Sequence, residues 1–187
     1  CPMATDVIAL MLEANRDLTI RDIRYILVHT ATQYGTSAID NDAQKNGAGL
    51  LYSHGSGFGG IDADAAITMA KNFVPISKEI VEPYYPDNLV EEQEILTISA
   101  GKTKSQEIEI PYDMRIEFVD IKLSLFHITP GALEVTLTSP SGMVSTLSPP
   151  NNLLDFQYRF LFEEVHFGSV AHLDEKSKGT WKLTIAN

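Results

Sequence analysis

Leu133-Glu134-Val135-Thr136-Leu137 alternates apolar and polar side chains residue by residue, and Thr138-Ser139-Pro140-Ser141-Gly142 follows it directly. A period of two puts Leu133, Val135 and Leu137 on one face of a strand, and the Ser/Pro/Gly run has the composition of a turn. The same texture extends in both directions. Gln106-Glu107-Ile108-Glu109-Ile110 alternates, and the chain ends on Gly179-Thr180-Trp181-Lys182-Leu183-Thr184-Ile185. Ile116, Phe118, Ile121, Leu123 and Leu125 predict a further strand pair or one bulged strand. Short alternating strands separated by turns predict an all-β sandwich over residues 95–187.

Upstream the period is helical. In residues 1–74, Ala4, Ile8, Met11 and Leu12 recur at helical spacing up to about Asn15. Thr19-Ile20-Arg21-Asp22 fits a capping box, in which a hydroxyl and a carboxylate satisfy free backbone N–H groups at a helix start. Ile23, Ile26, Leu27 and Thr30 then share a face. A polar, Gly-rich stretch runs from Gly35 to Gly60, and a third helix is expected from Asp62, with Ala65, Ala66, Met69, Ala70 and Phe73 inward. Residues 75–94 form an acidic linker. Pro75, Pro83 and Pro86 break regular structure there, and six acidic residues face the single Lys78. Tyr84 and Tyr85 would anchor it.

The net charge of −11 argues against nucleic-acid or anionic-membrane partners, which require clustered Lys and Arg. No apolar run is long enough to span a bilayer. Cys1 is the only cysteine, so no disulfide forms within the chain. The sequence opens inside an expected helix with no initiating Met and reads as cut from something longer.

Three segments together resemble one family. Pro2-Met3-Ala4-Thr5-Asp6-Val7-Ile8-Ala9-Leu10, with Leu12-Glu13-Ala14-Asn15 and Leu18-Thr19-Ile20-Arg21-Asp22-Ile23, resembles the segment after the nucleophile of kexin/furin-like subtilisin serine proteases, the proprotein convertases. Tyr52-Ser53-His54-Gly55-Ser56-Gly57-Phe58-Gly59-Gly60-Ile61-Asp62-Ala63 is similar to that family's motif near the end of the catalytic domain. Leu137 to Leu147 and Gly179-Thr180-Trp181-Lys182-Leu183 resemble its P domain. The resemblance implies a mixed fold: the α-helical carboxy-terminal remnant of an α/β subtilisin-like domain, then an all-β, jelly-roll-like P-domain sandwich. It also implies a secreted, periplasmic or extracellular protease, dependent on calcium and acting on polypeptides. Its nucleophilic serine would lie just upstream of Cys1, so no catalytic residue is expected in this chain, which alone would be inactive. The partner would be the remainder of the catalytic domain. The family's Gly before Val7 is replaced by Asp6, and a buried, unpaired carboxylate there would be costly. Ile20 replaces the family's Trp.

Other chemistries weigh less. His29, His54, His127, His166 and His172 show no metal-ligand spacing, and structural roles are expected for all five, with a loop-fixing hydrogen bond for His54. Ser37, Ser53 and Ser56 lack a nucleophile elbow. Gly55, Gly57, Gly59 and Gly60 read as tight turns rather than a phosphate loop. Asp40-Asn41-Asp42 and Asp174-Glu175 are oxygen-rich, but solvated acidic loops are expected at both, and no calcium ligand is assigned. The alternative function is a non-catalytic extracellular module binding protein or carbohydrate. It would need exposed aromatics among Tyr84, Tyr85, Phe156, Tyr158, Phe160, Phe162 and Phe167, of which Phe156 to Phe162 alternate like a core strand.

Overall fold

The computed structural model describes residues 2–33, 42–83, 98, 101–125, 130–150 and 162–187. Its elements in chain order are α1 (Pro2–Ala14), α2 (Ile20–His29), β1 (Gln44–Lys45), β2 (Leu51–Tyr52), α3 (Ala63–Lys71), β3 (Thr103–Ile110), β4 (Val119–Leu125), a 3-10 turn (Pro130–Ala132), β5 (Glu134–Thr138), β6 (Val144–Ser148), β7 (Phe162–Ser169) and β8 (Gly179–Ala186). Two compact units result. One comprises Cys1–Ala43 and Leu51–Glu82, the other Gln44–Leu50 and Pro83–Asn187.

The first unit is helical. Thr19 caps α2: its hydroxyl accepts from the Asp22 N–H, and the Asp22 carboxylate accepts from the Thr19 N–H at 2.7 Å, completing the expected capping box. Asp22 is fully buried and also accepts from the Ile76 N–H at 2.8 Å, so one carboxylate caps α2 and fixes the segment after α3. Burial pushes this carboxyl up, but hydrogen bonds from Thr19 and Ile76, with the Arg21 charge, hold it below its ordinary value. Asp62 caps α3 through the Ala65 N–H at 2.9 Å. At the other end of α3, Asn15 donates to the carbonyls of Ala70 and Phe73. Met11, Leu18, Ile23, Ile26, Ala66 and Ala70 form the buried core, flanked by Val7, Ile8, Leu27, Ile67, Met69 and Phe73. Leu12, on the expected periodic stripe, is 36% exposed, and so are Met3 (82%) and Leu10 (46%). The apolar surface of α1 is wider than the face covered here. Asp6 is exposed as well, so in this chain it carries none of the cost expected of a buried carboxylate.

The glycine loop before α3 is built from tight turns. Ser53 and Gly57 exchange both backbone hydrogen bonds, as do Thr32 and Gly60. Gly59 has φ +119°, and a Cβ there would stand 2.5 Å from the Thr32 carbonyl oxygen. Only glycine permits that approach.

The second unit is an antiparallel sandwich. One sheet has the order β3-β8-β5-β6 and the other pairs β4 with β7. Ile116, Leu137 and Trp181 fill the space between them, with Ile108, Ile110, Val119, Ile121 and Leu147 packed around. The strand expected around Ile116–Leu125 is one bulged strand, its register shifting between Leu123 and Leu125. Ile116 lies before it and is buried, whereas Phe118 is 57% exposed. Its ring lies over Gly168, where a Cβ would stand 2.3 Å from Cζ. The turn at 139–143 forms as expected, with Gly142 at φ +90° and the Ser139 N–H bonded to the Met143 carbonyl. Ser37, Asp40, Asn41, Tyr84, Tyr85, His127, Phe156, Tyr158, Phe160 and most of the acidic linker lie outside the described residues, as does the Phe162 side chain.

Leu137 is 2% exposed at the centre of this core. Leu137→Ala should lower the unfolding free energy by about 2–5 kcal/mol, read in urea through Trp181 fluorescence; a loss below about 1 kcal/mol would mean the sheets are not packed around it.

Candidate functional site

The loop between β7 and β8 turns inward rather than out to water. Leu173 bonds back to the Val170 carbonyl and Glu175 to that of His172, both through backbone N–H groups. Asp174 takes a left-handed conformation, φ 64°, which an Asp tolerates better than most residues. Residues 112–116 run alongside. The Asp174 N–H bonds to the Ile116 carbonyl and the Ile116 N–H to the Glu175 carbonyl; Met114 and Ser177 bond in both directions. The Trp181 indole N–H donates to the Ser177 carbonyl at 2.7 Å, tying the loop to the sandwich core.

The backbone path places the Glu175 carboxylate inside, 2% exposed. That corrects the expectation of a solvated acidic loop at Asp174-Glu175. A buried carboxylate survives only if its oxygens are bonded, and here they are. Oε1 accepts from the Gly47 backbone N–H and from the Ser141 hydroxyl at 2.6 Å. Oε2 lies 3.1 Å from Nδ1 of His172, whose ring is fully buried and meets Trp181 edge-on with centroids 5.0 Å apart. Nδ1 donates here when it carries the ring proton. Ser139 supports Ser141 hydroxyl to hydroxyl at 2.9 Å. Burial pushes the carboxyl up, but the bonds from His172, Gly47, Ser141 and Ser139 outweigh it and hold the group at about 2, against an ordinary 4.5.

Residues 44–50 complete the site. They lie in the sequence among the helical elements, yet belong to the sandwich unit. Asn46 is 5% exposed and donates from Nδ2 to the carbonyls of Ala171 (3.0 Å) and Leu173 (2.8 Å). Its Oδ1 accepts from the N–H groups of Ala48 and Leu50, both at 3.0 Å. The Val144 N–H donates to Gln44. Gly47 has no room for a side chain, since a Cβ would stand 2.7 Å from that of Ser141. Sequence reading missed Asn46, Gly47 and Ser141. The signal was present only as a turn-forming Asn-Gly pair, which says nothing of a distant carboxylate.

Chemically the cluster is a clamp. Serine, carboxylate and histidine stand in line, but the carboxylate lies between the other two. Ser141 therefore donates to Glu175 rather than to an imidazole, the reverse of the order that activates a nucleophile. His172 Nε2 is buried with no hydrogen-bond partner among the described residues. The remaining sequence candidates stay apart. His166 pairs with Asp120 at 3.0 Å on an exposed face. His29 stacks on Tyr25. The backbone N–H of His54 bonds to Asp42 Oδ2. Ser53 and Ser56 bond each other within the glycine loop. The Asp174-Glu175 stretch does not fit a calcium ion, and Asp40 and Asn41 of the other stretch lie outside the described residues. Glu175 is engaged by N–H and O–H donors, and Asp174 Oδ1 lies 3.4 Å from the Arg115 guanidinium. No group of three or more metal-ligating side chains occurs among the described residues.

Comparison with known proteins agrees with this architecture. Residues 116–187 match the family model for the proprotein convertase P-domain. The chain is 35% identical to Furin-1 of Xenopus laevis over its whole length, covering 23% of that protein. It is 30% identical to protease KEX1 of Kluyveromyces lactis, with 98% of the chain and 24% of the relative covered. The serine protease of Aeromonas sobria superimposes with a TM-score of 0.80 at 24% identity, over 96% of this chain and 35% of that one. The sandwich unit is thus a P domain. The chain as a whole is a kexin/furin-type proprotein convertase segment, the helical remnant of a subtilisin-like domain joined to its P domain, and it spans about a quarter of the curated relatives it matches.

The Glu175 carboxyl, depressed in the folded state, stabilises the sandwich above the ordinary carboxyl range. That contribution is lost as pH falls from about 4.5 toward about 2. Stability should therefore drop between pH 6 and pH 3 by about 2 kcal/mol more than in Glu175→Gln. Urea unfolding at both pH values would test this, and equal losses in the two proteins would contradict it.

Proposed function

We propose that this chain is the non-catalytic end of a secreted, calcium-dependent kexin-like serine endopeptidase, and that its P domain stabilises the adjoining catalytic-domain segment by gripping residues 44–50. In this reading peptide-bond hydrolysis belongs to residues outside the chain, with the nucleophilic serine shortly before Cys1 in the parent. Calcium is bound elsewhere in the parent as well. The observation that carries the reading is the placement of Asn46 and Gly47. Three hydrogen bonds hold these two residues against 171–175, and the chain re-enters the helical unit on both sides of them. A net hydrogen bond contributes about 1 kcal/mol, and one to a charged group about 1.5–3. The grip is then worth a few kcal/mol to the folded sandwich, and in this reading the restraint on 44–50 also raises the cost of unfolding the helical unit whose chain flanks it.

Two further features support it. Met3, Leu10 and Leu12 on α1 are apolar and exposed, the surface expected where the rest of a catalytic domain packs. No helix among the described residues is long and apolar enough to cross a membrane, consistent with a secreted enzyme of which this chain forms part.

Hydrogen exchange read by mass spectrometry tests the coupling. In Asn46→Ala, amides of α1, α2 and α3 should exchange about tenfold faster or more, although residue 46 belongs to the other unit. Faster exchange confined to 44–50 and 171–173 would remove the stabilising role. The inactivity of the chain is checked separately: a serine-directed fluorophosphonate should leave it unlabelled.

A further inference from the structure

Asn46-Gly47 is the chain's one Asn-Gly pair. In such a pair the glycine nitrogen can reach the asparagine side-chain carbon without hindrance from a Cβ. We propose that Asn46 is a modification site, a deamidation fuse that the Glu175 clamp keeps inert while the sandwich is folded and that fires once it opens.

Deamidation requires the Gly47 backbone nitrogen to lose its proton and attack Asn46 Cγ. The new N–C bond closes a five-membered succinimide, the Cγ–Nδ2 bond breaks, and the departing nitrogen leaves as ammonia. Water then opens the ring to aspartate or isoaspartate, so one water is consumed and one ammonia released. The folded structure blocks the attack at both reacting groups. The Gly47 N–H is directed at Glu175 Oε1, away from its own neighbour's side chain. The Asn46 amide is held at both ends, Nδ2 by Ala171 and Leu173 and Oδ1 by Ala48 and Leu50. With Asn46 only 5% exposed, hydrolytic water is excluded too. Glu175 is a weak base, since its carboxyl is held near 2, so its bond to Gly47 restrains that N–H rather than activating it.

The product cannot re-form the clamp. An aspartate at 46 would turn a carboxylate oxygen toward two carbonyl oxygens that now lie 3.0 and 2.8 Å from an N–H donor. It would also add a negative charge next to the residue whose N–H serves Glu175. Isoaspartate inserts a methylene into the backbone and moves the Gly47 N–H away from the carboxylate. A chain that stays open long enough is thereby committed to the unfolded side, which is how chemical modification makes unfolding irreversible.

The test uses the wild-type chain in mildly alkaline buffer, with and without denaturing urea. Peptide mapping follows the amide-to-acid mass gain and isoaspartate at residue 46. Conversion should proceed in urea and be at least about a hundredfold slower in buffer, because it must wait for opening. After urea removal, converted chains should not regain the native melting temperature, whereas unconverted chains should. Ser141→Ala, which loosens Glu175 without touching Asn46, should speed conversion in buffer; if that variant does not fold, the wild-type rates decide alone. Equal rates in buffer and urea, no conversion in urea, or converted chains that refold to the native melting temperature would each overturn the proposal.

Discussion

A carboxylate withdrawn from water is tolerated only when every direction in which it would have met solvent is filled by a donor. Glu175 imposes that constraint on the sandwich unit, and much of the unit's architecture answers it. The Asp174 turn delivers the carboxylate inward, and the loop after β5 supplies the Ser141 hydroxyl. His172 covers the second oxygen and wedges against Trp181, which joins the cluster to the core between the sheets. The remaining donor is a backbone N–H of Gly47, from a segment over a hundred residues away in sequence. Removing any one donor leaves the charge under-bonded at low dielectric, so the cluster holds or fails together.

The same constraint explains a sequence pattern of short residues. Gly47 must lack a side chain because Ser141 occupies its space, and Ser141 must be small because Gly47 approaches. Asn46 then serves two directions at once, closing its own turn through Oδ1 and bridging to 171–173 through Nδ2. Asp22 repeats the principle on a smaller scale in the helical unit, where a buried carboxylate caps α2 and secures Ile76.

Sequence periodicity carried the regular elements well. Thr19 and Asp62 marked helix starts, and alternation in 106–110, 133–137 and 179–185 marked strands β3, β5 and β8. Those signals are local, produced by one face of one element meeting a core. The clamp was illegible for the opposite reason. Its members stand at 46, 47, 141, 172 and 175, share no period, and include an acidic residue whose default environment is water. Leu12 and Phe118 show the limit from the apolar side: periodicity places a residue on a face, but not whether anything covers that face.

Exchange of the Gly47 backbone amide, followed residue by residue by NMR, tests the account most directly. If Glu175 organises the sandwich and residues 44–50 belong to it, this amide should exchange only with unfolding of the whole unit. Its opening free energy would then match those of the β8 amides around Trp181, despite its place in a five-residue turn between short strands. Exchange at the rate of an exposed loop, with β8 still protected, would show that the sandwich holds together without gripping this segment.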